Sequence, residues 1–185
     1  MIYLMRHGQD DESYIGGWSD VSLIPEGKLE VDETAKWIKD NLNIKKIICS
    51  DVKRAVETAE IVNKYLSVDV SFDANLREQS KGILNGAKRD DIWDDYGDLL
   101  ENADEDTIYP GGESLRTLYE RMKVYLGKLV NLEDDTLLIT HRGVINMIYY
   151  ILNDIPLDFD KKRFGVDTAS VHELDCKKLS IRKVR

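Results

Sequence analysis

The 185 residues are 42% hydrophobic and 33% charged, which supports a packed core and excludes a disordered chain. A formal net charge of −9, from 26 Lys and Arg against 35 Asp and Glu, argues against nucleic acid or an anionic membrane as the main partner. Cys49 and Cys176 stand far apart and outside any C-x-x-C pair, so neither a disulfide framework nor a zinc site is expected.

The apolar start, Met1 to Met5, predicts a short buried strand that runs straight into Arg6-His7-Gly8. Those polar residues also interrupt any signal-peptide core, and a cytoplasmic location is the expectation. "PEGKLEVDETAKWIKDNL" (25 to 42) predicts a helix with Pro25 in its first turn and Leu29, Thr34, Trp37, Ile38 and Leu42 along one side. "KKIICS" (45 to 50) is the next strand, and the helix of residues 51 to 66 follows, with Ser50 or Asp51 as N-cap. "VDVSFD" (68 to 73) alternates as a half-exposed strand does. Residues 74 to 112 are less regular, with a helix around Ile92 to Leu100 and a turn at "YPGGES". A long amphipathic helix (113 to 132), a buried strand (136 to 141) and the helix "GVINMIYYIL" (143 to 152) come next; the greasiest stretch is too short to span a bilayer. Residues 170 to 175 and 178 to 184 read as a closing hairpin.

This alternation predicts one α/β domain over residues 1 to 185. It would be a three-layer sandwich with a mostly parallel sheet, an antiparallel C-terminal strand and helices on both faces. In such sheets ligands lie beyond the carboxyl ends of the strands. Three predicted strands end in Arg6-His7-Gly8, in Ser50 with Arg54 one helical turn on, and in His141-Arg142-Gly143. Two histidines and a set of arginines at one crevice suit a phosphoryl group, because the guanidinium fork matches its oxygens. Gly8 and Gly143 would permit close backbone approach. Taken singly, each residue has an ordinary structural explanation; their joint placement carries the argument.

These residues also fall into ordered motifs. "RHG" (6 to 8), "SDVKRAVETAEI" (50 to 61), "LREQSKGILNG" (76 to 86), "PGGES" (110 to 114) with Arg121 downstream, and "ITHRGVI" (139 to 145) occur in sequence. The chain thereby resembles the histidine phosphatase superfamily, in its phosphoglycerate mutase-like branch. The resemblance implies that His7 is a nucleophile forming a phosphohistidine and that Glu78 is the proton donor. It further implies that Arg6, Arg54 and His141 hold the phosphoryl oxygens, with no metal and no cofactor. Phosphoryl transfer spreads charge over the equatorial oxygens, so placed cations supply most of the catalysis. Acid phosphatases of the superfamily place an Asp after the second His; Arg142 stands there, which favours the mutase-like branch.

The chain also departs from the pattern. The interval between Gly8 and Gly17-Trp18 is short and lacks the Asn that contacts phosphate in relatives. Gln9, Ser13 and Arg142 are candidates for loop contacts, and Asp10, Asp11 and Glu12 are candidates for the pocket rim. Trp18 could border the pocket, His172 is read as a strand residue, and "DDIWDDYGD" (90 to 98) as a solvated face. A phosphomonoester hydrolase acting on a small phosphorylated substrate is the leading reading. The alternatives are a phosphoglycerate mutase and a non-catalytic phospho-ligand-binding module. The substrate and the oligomeric state stay open.

Overall fold

The computed structural model describes residues 1–132, 135–158, 160 and 162–185. Six strands form one sheet in the order β3-β2-β4-β1-β5-β6. They are β1 (Ile2–Arg6), β2 (Lys46–Cys49), β3 (Asp69–Phe72), β4 (Thr136–Thr140), β5 (Val171–Asp175) and β6 (Ser180–Lys183). The ladders β1–β4, β4–β2 and β2–β3 are parallel, whereas β5 runs antiparallel to both β1 and β6. The C-terminal hairpin thus adds two strands at one edge.

β4 lies at the centre and every residue in it is buried. Its alternation divides the core in two. Leu137 and Ile139 join Met5, Ile47 and Cys49 beneath α1 (Pro25–Asn41) and α2 (Lys53–Leu66). Leu138 joins Ile2, Leu4 and Leu174 on the opposite face, beneath the helices Leu115–Leu129 and Arg142–Leu152. With the helix Arg89–Asn102 taken as α3, those two are α4 and α5. A smaller cluster of Ile15, Leu84, Ala103 and Tyr109 lies under α3. Among the described residues no helix is long and apolar enough to cross a membrane.

Two local expectations need correcting. The buried stripe of α1 is Gly27, Val31, Thr34, Ala35 and Ile38, and Leu29 faces solvent. The stripe follows from how α1 meets the turn after β1. A Cβ on Gly8 would come within 2.5 Å of Val31 and 2.7 Å of Gly27 O, and one on Gly27 would meet Gln9 O at 2.2 Å. The two glycines let helix and turn touch, so Gly8 serves packing at this contact. The N-cap of α2 is Val52, without a side-chain cap. Ser50 Oγ is instead engaged by a histidine, as described below.

Candidate active site

The central strands end level with one another, and β4 holds the residues just beyond them. His7 N donates to Thr140 O at 2.9 Å, and Ser50 N donates to Ile139 O at 2.9 Å. His7, Ser50 and His141 are thereby fixed side by side, with the two imidazole centroids 5.0 Å apart. The first turn of α2 then brings in Arg54.

Arg54 is 2% exposed and its guanidinium is the hub of the site. Nε donates to His7 Nε2 at 3.1 Å, Nη1 to Ser19 Oγ at 3.1 Å and Nη2 to Gly17 O at 2.9 Å. Nη2 also lies 3.1 Å from His141 Nδ1. These contacts assign both imidazole tautomers, because a guanidinium only donates and a carbonyl only accepts. His7 Nδ1 carries its proton toward Gly8 O at 2.7 Å, which leaves the Nε2 lone pair toward Arg54. His141 accepts at Nδ1 and donates from Nε2 to Ser50 Oγ at 2.8 Å. Burial holds both histidines well below their ordinary pKa, and the charge on Arg54 adds to the effect. His7 is therefore a neutral imidazole with an available nitrogen.

Arg6 supplies a second cation. Nη1 donates to Val166 O at 3.0 Å, while the buried Nε has no hydrogen-bond partner. Burial first, and Arg142 next, push the Arg6 pKa down to about 10. Arg142, at the start of α5, lines the same cavity. A buried, unsatisfied donor beside a row of cations fits an anionic ligand.

Glu78 reaches the cavity from a loop held on several sides. Its carboxylate accepts from Gln79 N at 2.9 Å and from Gly143 N at 3.0 Å. Its carbonyl accepts from Trp18 Nε1 at 2.7 Å and from Arg121 Nη2 at 3.3 Å. Arg121 also donates to Asn75 O and Arg77 O and pairs with Glu113. Glu113 Oε2 in turn accepts from Ser80 N. The conformation of the Leu76–Ser80 segment thus depends on Arg121 and Glu113, which ties the motif around Glu78 to the one that carries Glu113.

The cavity is about 570 Å³. His7, Arg6, Arg54, Glu78 and Arg142 line it, together with the carboxylate-bearing Asp10, Asp11 and Glu12. Buried Ile15, Tyr109, Leu115 and Met147 contribute apolar wall. Gln9 and Ser13 are not on the wall: Gln9 O is bonded to Ile24 N, and Ser13 Oγ turns to Asp11. Trp18 supports Glu78 from outside the cavity. His141 is fully buried behind Arg54. Ser19, which takes Arg54 Nη1, escaped the sequence reading because nothing in the pattern of residues 9 to 24 shows how that loop folds back. Among the described residues no group of three or more His, Cys, Asp or Glu is placed to hold a metal ion.

Residues 2–185 match the family model of the histidine phosphatase superfamily, branch 1. The chain belongs to that superfamily. A curated superfamily relative from Salmonella choleraesuis (strain SC-B67), named probable phosphoglycerate mutase GpmB, is 29% identical over 185 residues, covering 94% of this chain and 84% of the relative. Bacillus stearothermophilus YhfR superposes with a TM-score of 0.82 at 25% identity, over 99% of this chain and 94% of that one. A mycobacterial glucosyl-3-phosphoglycerate phosphatase in complex with inorganic phosphate gives a TM-score of 0.77 at 25% identity, over 98% of this chain and 93% of the other. Phosphatase and mutase names thus both occur among the histidine phosphatases it resembles.

Proposed function

We propose that the chain hydrolyses small phosphomonoesters through a phosphohistidine on His7. The observation that carries this reading is the tautomer of His7. Its Nδ1 proton is tied to Gly8 O, so the Nε2 lone pair is directed at Arg54 Nε, in a cavity that Arg6 and Arg54 also line. In the first step Nε2 attacks phosphorus, and its hydrogen bond from Arg54 Nε passes to a phosphoryl oxygen. Arg6 and Arg54 balance charge on the equatorial oxygens, which is where placed cations contribute most, while neutral His141 accepts from Arg54 Nη2 and helps to orient the guanidinium. Protonated Glu78 gives its proton to the departing alkoxide. In the second step ionised Glu78 takes a proton from a water whose oxygen bonds to phosphorus, the P–Nε2 bond breaks, and inorganic phosphate leaves with His7 restored.

The mutase reading draws support from the name of the Salmonella relative. A mutase must keep water from its phosphohistidine and retain a bisphosphorylated intermediate. The short acidic segment between Glu78 and His141 and the carboxylates of Asp10, Asp11 and Glu12 on the cavity lining suit neither task. Two experiments test the proposal. Enzyme quenched during turnover of an aryl phosphate should carry acid-labile, base-stable phosphate on His7, and His7→Ala should lose activity. Incubation with 3-phosphoglycerate and 2,3-bisphosphoglycerate should release phosphate; rapid formation of 2-phosphoglycerate with little phosphate would overturn the hydrolase reading.

A further inference from the structure

Of the three acidic residues after the first glycine, one is placed unlike the others. Asp10 Oδ2 lies 3.5 Å from Arg54 Nε, and the Asp10 side chain is only 16% exposed. That Nε also donates to His7 Nε2 at 3.1 Å. Asp10 is not on a loose tip, because its backbone forms an antiparallel bridge with Leu23. Asp11, by contrast, is exposed and its carboxylate accepts from Ser13 N and Ser13 Oγ. The Glu12 backbone is engaged by Arg89 Nε.

A separation of 3.5 Å is an ion pair without good hydrogen-bond geometry for N–H to O. Arg54 does not need Asp10 to hold its shape, since Gly17 O, Ser19 Oγ and two imidazole nitrogens already take its donors. The electrostatic consequence for a ligand is larger. A phosphoryl group on or beside His7 Nε2 requires Arg54 Nε, the donor nearest that nitrogen. Its oxygens would come close to a carboxylate already facing the same guanidinium. Like charges at this range, in a partly buried site, repel by more than they would in water.

We propose that Asp10 is a specificity-determining residue that weakens the site's hold on dianions. It speeds the departure of inorganic phosphate. This inference rests on the phosphoryl-site reading above. It adds a reason, specific to this chain, for hydrolysis in preference to retention.

The test compares Asp10→Asn, Asp10→Ser and Asp11→Asn by calorimetric titration of each protein with inorganic phosphate. Both Asp10 variants should bind phosphate on the order of tenfold or more tightly than the parent. Asp11→Asn, which removes the same unit of charge one residue away, should stay within about twofold because its carboxylate is solvated. Unchanged or weaker binding in both Asp10 variants would overturn the proposal, as would equal tightening in Asp11→Asn. The result is separable from the hydrolase reading. Tighter phosphate binding in Asp10 variants of a protein that turns over no phosphomonoester would defeat that reading and leave this one standing.

Discussion

Every nitrogen of the Arg54 guanidinium donates to an acceptor, and lysine could not reproduce the set. It keeps the charge but offers one ammonium in place of a planar fork. Arg54→Lys should therefore lose about 100-fold or more in kcat/KM on an aryl phosphate, by analogy with removal of one oxyanion donor. A change within a few-fold would separate Arg54 from the transferring group. Glu78→Gln calls for a different readout. Proton donation typically contributes ~10²–10⁴-fold and matters most for poor leaving groups. The variant should harm alkyl phosphate hydrolysis far more than nitrophenyl phosphate hydrolysis, and equal losses would remove Glu78 from the donor role. That Arg6, His7, Arg54 and His141 lie together is legible in the sequence because the fold class gathers strand ends, whereas Glu78 stands in a loop and is legible only through the motif around it. Ser19 and the inward turn of Asp10 were not legible. They depend on the path of residues 9 to 24, which is fixed by the Asp10–Leu23 bridge, by the close approach of Gly27 to Gln9 and by Arg54 farther along the chain.

Among the elements, α5 couples backbone to chemistry most directly. Gly143 N, in its first turn, donates to Glu78 Oε2, and a Cβ on Gly143 would stand 2.1 Å from Glu78 Oε1. Gly143→Ala should push the carboxylate aside while leaving Arg6 and Arg54 in place. The expected result is a loss on the order of tenfold or more in alkyl phosphate hydrolysis, with inorganic phosphate affinity held within a few-fold. A matching fall in phosphate affinity would show that the change spreads beyond Glu78. The helices themselves were readable from periodicity. Their details were not, because local signals yield to tertiary ones. Ser50 has the chemistry of an N-cap, yet its hydroxyl is taken by His141. Leu29 has the chemistry of a core residue, yet the close approach of Gly8 to Gly27 rotates α1 so that Leu29 is 68% exposed.

Across the whole molecule, all three histidines are buried and held neutral. His172 on β5 is fully enclosed. It accepts from the Tyr149 hydroxyl, and its other nitrogen faces Ser170 Oγ, whose proton goes to Asp167 O. Burial lowers its pKa from 6.5 to about 4. Between those values the unfolded chain takes up a proton that the folded chain refuses, so stability falls as pH falls. The His172 contribution over that window is on the order of 3 kcal/mol. His7 and His141 act in the same direction. Tm should therefore decline steadily from pH 7 to pH 5, and His172→Asn should flatten the slope; a Tm that is constant over this range would contradict it. The sheet order has a consequence for how the chain comes into being. β1 carries Arg6 and leads to His7, and the end of β2 leads to Ser50 and Arg54, but these two strands do not pair with each other: β4, whose first residue is Thr136, lies between them. During synthesis, the N-terminal strand must wait until most of the chain has emerged before its neighbour exists. Such non-local pairing is slow because loop closure precedes its reward. The candidate site thus needs β4 in place between β1 and β2, so a nascent chain that stops short of Thr136 should bind no phosphate.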